Sequence, residues 1–268
     1  MKADLHTHTK ASDGEYSPKD LIKKAYEAGI ELMAITDHDT VNGLNEGFEA
    51  AEKYGIKLIS GVEFGASNDK NMHILGYNFD KNSESMINIC NFLKKSREER
   101  KYRIIKFLKE KGVEVTEEEV NAKAGDSIVA RPHFALIMVE KGYVKNVKEA
   151  FTLYLDTEEY QKIERFKFSA EEYIKVIHEA GGKAVLAHPK QLNYSPEKLE
   201  KTIAELKKSG LDGLECIYTT HTPEEIKIFK RLADKYGLFY TAGSDFHGEN
   251  IKPNVVLFTK EINPEEIL

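Results

Sequence analysis

Short apolar runs alternate with amphipathic helical patterns through most of this chain, and that alternation restricts the fold more than any other feature. "ADLHTH" precedes "SPKDLIKKAYEAG", where Ser17 suits an N-cap, Pro18 the first helical turn and Gly29 the helix end. "LMAITDH", the helix-like "LNEGFEAAEKYG", "KLISGVEF" and "HILGYNF" follow. The rhythm then stops over residues 80–168, which read as helices throughout, from "MINICNFLKKSREERKYRIIKFLKEKG" to "VKEAFTLYL". It resumes with "KAVLAHP", "GLECIY" and "FYTAGSDFH", each behind a helical stretch. Seven strand candidates joined by helices predict an α/β fold with a parallel sheet, and suit a barrel better than an open sheet. We expect residues 1–79 and 169–268 to form the barrel and 80–168 to be a helical insertion; 268 residues suffice for both.

In such folds functional groups collect at the C-terminal ends of the strands. Here those ends carry His6 and His8, then His38, Glu63, His188, and Asp245 with His247. Asp13 lies in the loop after the first strand, and His73 opens the fourth strand instead of closing it. Residues two apart share a strand face, so His6 and His8 converge, as do Asp245 and His247. Imidazole nitrogen and carboxylate oxygen are ligands for divalent Zn, Mn or Fe. Nine such residues exceed the needs of one ion and suit three ions with a bridging carboxylate. Each position alone has a plainer explanation: a hydrogen-bonded structural histidine, Asp37 or Asp39 as a helix N-cap, Asp13-Gly14 as a turn. None of these explains why one end of the fold gathers nearly the whole set. His178, inside a helical stretch, reads as structural or exposed.

Composition narrows the remaining classes. Apolar residues make up 41% and charged residues 31%, as in globular proteins. No apolar run approaches the roughly 20 residues that cross a bilayer, and no signal-peptide h-region stands at the N-terminus. Cys90 and Cys216 form neither a metal-type pair nor a disulfide framework, which predicts a reducing cytoplasm. The net charge of −6 argues against a general nucleic-acid coat protein, and an anionic substrate would need metal ions or a local basic patch. Residues 94–109 offer such a patch, with eight basic side chains and two acidic ones. Arg97 and Arg100 share a helix face there; the plain alternative is a solvated face paired to Glu98 and Glu99.

The motifs "DLHTHT", "SDG", "ITDHD", "GVE", "AHP" and "GSDFH" resemble those of the polymerase-and-histidinol-phosphatase (PHP) superfamily of metallo-phosphoesterases, nearly end to end. The resemblance implies a distorted (β/α)7 barrel with two or three divalent ions, Mn, Fe or Zn. By position, one ion would take His6, His8, Glu63 and Asp245. A second would share Glu63 and take His73 and His188, and a third would take Asp13, His38 and His247. Glu63 and Asp245 would thereby be catalytic.

With its insertion, the chain looks like the branch that includes nucleoside 3′,5′-bisphosphate phosphatases. "SREER" and "ARPHFA" match that branch's phosphate-binding stretches, implying Arg97, Arg100, Arg131 and His133 as substrate contacts, and "TTHT" adds His221. "YLDTEEYQKIERF" departs from the branch, with acidic residues where a Gly/Lys-rich segment is usual. The implied reaction is attack by metal-activated hydroxide on a small nucleotide, with His133 or His221 as proton donor. Alternatives are a 5′–3′ exonuclease on short oligonucleotides, a cyclic phosphate dihydrolase, a histidinol phosphatase, or a non-catalytic interaction module. We expect a small nucleotide or short oligonucleotide as partner, no membrane, and no stable protein partner.

Overall fold

The alternating pattern resolves, in a computed structural model, into one sheet wrapped by helices; the structure describes residues 1–125, 127, 129–163, 165–258, 260–262 and 267. The strands are β1 (Lys2–Asp4), β2 (Leu32–Ile35), β3 (Lys57–Gly65), β4 (His73–Tyr77), β5 (Lys183–Leu186), β6 (Gly213–Tyr218), β7 (Phe239–Gly243) and β8 (Lys260–Glu261). Their order is β7-β6-β5-β4-β3-β2-β1-β8. Beyond its assigned strand end, the β1 segment also meets the β7 segment. Leu5 N donates to Ala242 O (3.0 Å), Asp245 N to His6 O (2.7 Å) and His8 N to Phe246 O (2.9 Å). These bonds close the sheet into a barrel, leaving β8 as a short flap on β1.

Two features differ from a seven-stranded parallel sheet. β8 is an eighth strand, too short to leave an alternating pattern in the sequence. β4 runs antiparallel to both β3 and β5. Residues 66–72 are too few for the helical crossover that a parallel neighbour requires, so the chain turns straight back. The reversal brings the first residue of β4, His73, to the end of the barrel where the parallel strands finish.

Around the barrel pack α1 (Pro18–Glu27), α2 (Leu44–Tyr54), α8 (Ala170–Glu179), α9 (Pro196–Lys208) and α10 (Pro223–Tyr236). Ser17 accepts from Asp20 N to cap α1, which buries Leu21, Ile22 and Ala25. Alternation divides each strand: Met33 and Ile35 of β2 join the apolar layer under the helices, whereas Leu32 and Ala34 pack with Leu5, Leu75, Tyr77 and Val185 inside the barrel.

Between β4 and α8 lie α3 (Glu84–Glu110), α4 (Glu117–Ala124), α5 (Arg131–Glu140), α6 (Val147–Ala150), a π-helical turn (Phe151–Leu155) and α7 (Glu158–Gln161). α3 links two cores. Met86, Ile89 and Leu93 sit in the barrel's apolar layer, while Ile104, Phe107 and Leu108 join Val120, Phe134 and Met138 in a separate cluster. No described helix is long and apolar enough to cross a membrane.

Candidate active site

At the end of the barrel where the parallel strands finish, the side chains of the HxH segment meet a single carboxylate. Glu63 on β3 is 1% exposed. Its Oε2 lies 3.3 Å from His6 Nε2, 3.2 Å from His8 Nε2 and 3.1 Å from His38 Nδ1. Its Oε1 lies 2.6 Å from His73 Nδ1 and 3.1 Å from His188 Nε2. Asp245 places Oδ1 3.3 Å from His8 Nε2 and 3.3 Å from His247 Nδ1. Asp13 Oδ1 is 3.4 Å from His247 Nε2. All nine residues singled out in the sequence therefore stand together.

Ligand atoms fall into three overlapping groups, each within 4.8 Å: His6, His8, Glu63 and Asp245; His8, Asp13, His38 and His247; and His38, Glu63 and His73. Among the described residues, His6 Nε2, both ring nitrogens of His8, Glu63 Oε2 and His188 Nδ1 are buried without a hydrogen-bond partner. Buried polar atoms left in this state are costly, and so many around one point fit bound cations. Burial alone would raise the Glu63 carboxyl, yet His38, His73 and His6 hold it well below the usual carboxylate range. Burial pushes His38 down to about 3 and lowers His73 and His247, whereas Asp245 and Glu63, acting against burial, raise His8 to about 9.

A further layer fixes these groups. Glu215 on β6 pairs through Oε1 with His6 Nδ1 (2.9 Å), and its Oε2 accepts from His188 N (2.7 Å). That partner sets the ring so that Nε2 faces Glu63. Tyr218 Oη and Lys252 Nζ both donate to Asp245 Oδ2 at 2.7 Å, which leaves Oδ1 for the rings. Asp37 accepts from Thr9 N, Thr9 Oγ1 and Ser12 Oγ, pinning the loop that carries Asp13. Asp37 and Asp39 are thus not helix caps; α2 has Gly43 at its N-cap and no side-chain cap bond. His188 and Asp245 adopt φ of 25° and 59°, conformations that cost energy in non-glycine residues and gather at functional sites.

The cluster forms one wall of a cleft of about 1590 Å³ whose lining includes Arg97, Arg100, Arg131, Arg165 and Lys167. Arg97 is not paired to Glu98 or Glu99: its Nε and Nη2 donate to Asp39 Oδ2 (2.8 and 2.5 Å). Arg100 Nε donates to Ile163 O (2.8 Å), and Arg131 Nη1 to Asp156 Oδ1 (2.7 Å). Neither His133 nor His221 is among the lining residues. His133 Nδ1 accepts from Ala130 N (3.0 Å); His221 Nδ1 donates to Cys216 O (2.9 Å), its ring between Tyr218 and Phe229. His178 pairs with Asp212 (2.7 Å), apart from the cluster.

Sequence reasoning passed over Glu215, Tyr218, Lys252, Arg165 and Lys167. Glu215 carried one usable signal, a carboxylate inside an otherwise apolar strand. Arg165 and Lys167 fall at and just beyond the end of a segment that its acidic residues had marked as a departure from the family pattern.

The chain is similar to known proteins along most of its length. The PHP domain family profile matches residues 4–215. A 5′-3′ exoribonuclease of Haemophilus influenzae is 36% identical over 92% of this chain and 90% of its own. A 3′,5′-nucleoside bisphosphate phosphatase of Chromobacterium violaceum is 29% identical over 97% of this chain and 92% of its own. A solved structure from Bifidobacterium adolescentis, assigned as a metal-dependent phosphoesterase, superposes with a TM-score of 0.86 at 31% identity, covering 99% of this chain and 94% of that one.

Proposed function

Because the chain belongs to the PHP domain family and is a phosphate-ester hydrolase, we propose that it removes the 3′-phosphate of a nucleoside 3′,5′-bisphosphate, leaving the 5′-monophosphate, with two or three divalent ions of Mn, Fe or Zn. The observation that carries this reading is the convergence of five imidazoles on Glu63 in a cleft that also holds Arg97, Arg100 and Arg131. One ion is assigned to His6, His8, Glu63 and Asp245, one to Glu63, His73 and His188, and one to Asp13, His38 and His247. Divalent ions at such a site neutralise phosphoryl charge and bring the pKa of bound water towards about 7.

The protein's own groups do the rest. Arg97, Arg100 and Arg131, anchored through Asp39, Ile163 O and Asp156, turn their remaining guanidinium N–H groups to phosphoryl oxygens and orient the ester. Ala130 N–H occupies Nδ1 of His133, so the neutral ring carries its proton on Nε2; we assign that N–H to a hydrogen bond that stabilises the leaving 3′-oxygen, with solvent supplying the proton. His221 acts at one remove, backing Tyr218, whose hydroxyl holds Asp245. We place the reaction in the cytoplasm, a reading supported by two buried free cysteines.

A second substrate is favoured by one dimension. The cleft of about 1590 Å³ exceeds the roughly 300–1,000 Å³ of small-molecule pockets, which suits a short 5′-phosphorylated oligonucleotide. The bond hydrolysed is the same, now in a diester. The deciding experiment measures phosphate or nucleotide release, with Mn²⁺, from adenosine 3′,5′-bisphosphate, 5′-AMP, a 2′,3′-cyclic nucleotide, histidinol phosphate and a 5′-phosphorylated pentanucleotide. Preference for the bisphosphate with 5′-AMP left intact supports the first reading. Preference for the pentanucleotide, with a steep salt dependence, replaces it by the second. Turnover of neither refutes both.

A further inference from the structure

Three cationic groups and one carboxylate make an unequal set beside the metal-ligand cluster. Asp39 is fully buried, and its Oδ2 receives Arg97 from one side and Arg165 Nη2 (2.8 Å) from the other. Lys167 stands on the same wall of the cleft, where its Nζ donates to Ala66 O at 3.4 Å. Among the described residues, Asp39 is the one carboxylate paired with these cations. Arg165 is the most telling of them: its side chain is 7% exposed, it lines the cleft, and its Nη1 is buried with no hydrogen-bond partner among the described residues. A guanidinium fixed through one nitrogen and idle at the other is prepared for a second acceptor.

Gly65 gives its location. A Cβ built there would lie 3.4 Å from Arg165 Nη2 and 3.5 Å from His73 Nε2, so the guanidinium and the imidazole flank one narrow gap. Arg165 thus adjoins the cluster without belonging to it. An ester held over the ligand atoms would bring an anion one step further along the same substrate towards Arg165.

We propose that Arg165 binds the phosphoryl group that is not cleaved, and that its anchorage on Asp39 beside His73 selects substrates carrying such a group next to the scissile one. This deepens the reading above and rests on it for the identity of the scissile 3′-phosphate. Arginine suits the task because its planar fork keeps hold of Asp39 while offering the Nη1 hydrogens to phosphoryl oxygen.

The test compares wild type with Arg165→Met on adenosine 3′,5′-bisphosphate and adenosine 3′-monophosphate, which share the cleaved group and differ in the other. The ratio of kcat/KM values, bisphosphate over monophosphate, should fall by about 10- to 100-fold, the usual worth of a hydrogen bond to a charged group. Equal losses on both substrates would overturn the proposal. Should Arg165→Met fail to fold, Arg165→Lys serves, since lysine cannot span Asp39 and the phosphate together; an unchanged ratio in that variant also counts against it. Calorimetric titration of 5′-AMP into metal-free protein separates this proposal from the reaction itself. Weaker binding by the variant supports Arg165 even if neither substrate is hydrolysed, whereas equal binding, or none by wild type, removes it.

Discussion

Lys167 brings an ammonium into a wall of the cleft that already holds Arg97, Arg100 and Arg165, and burial beside those cations pulls its pKa down to about 8. A lysine so displaced is charged at pH 7 and loses its proton in a range where ordinary lysines do not. Its attraction for a phosphoryl group is therefore complete below about 8 and fades as pH rises through that value. We expect KM for adenosine 3′,5′-bisphosphate to climb between pH 7.5 and 9 in wild type. In Lys167→Met, KM should already be raised at pH 7 and stay level across that window. A parallel climb in both proteins would assign the alkaline limb to another group. Neither this lysine nor Arg165 was legible in the sequence, because nothing in "ERFK" says which neighbours fold over it. The nine ligand-type residues were legible for the opposite reason: strand ends fix where a side chain goes, and His6 with His8 share a face by the two-residue period alone. Glu215 lay between, with an informative residue type and no clue to its partner.

Among the elements, β1 and β7 approach one another closely enough to demand glycine. A Cβ at Gly243 would stand 2.2 Å from His6 Cβ and 2.5 Å from Glu215 Oε1, so an alanine there displaces the ring and the carboxylate that orients it. Gly243→Ala should cost about 1–3 kcal/mol of stability by overcrowding. It should also lower kcat/KM by more than about tenfold, since small misplacements at a reacting centre are expensive. Gly29→Ala is the control: φ is +77° and nothing lies within 4 Å, so strain of about 1 kcal/mol arises with no change in kcat/KM. Denaturant melts and steady-state kinetics on the two variants separate a general loss of stability from a disturbed site. The strands themselves could be read from apolar runs, but their directions could not. Residues 66–72 held the one clue to β4, a link too short to cross over, and that shortness explains why His73 looked misplaced at the start of a strand. β8, with two residues, carries too little pattern to be read at all.

At the scale of the whole molecule, the metal-ligand cluster and the closure of the barrel are one problem. His6 and His8 extend from β1, Asp245 and His247 from β7, and the joint between them rests on the backbone bonds of Leu5, His8 and Asp245 to the facing segment. Cations bound by side chains from both segments would tie that joint, whereas the apolar cluster around Phe134 and Met138 lies apart in the helical segment and gains nothing directly. Loading with Mn²⁺ at about one hundred times its dissociation constant should stabilise the fold by about 2.7 kcal/mol through mass action. For a chain of this size that is a rise in Tm of roughly 5–10 °C, reversed by a chelator. Amide exchange locates the effect. Leu5, His8 and Asp245 should slow by far more than the amides of Phe107 or Met138. A rise in Tm with uniform slowing would mean that the ions stabilise the protein without closing the barrel, and no rise at all would mean that the convergent histidines do not hold Mn²⁺.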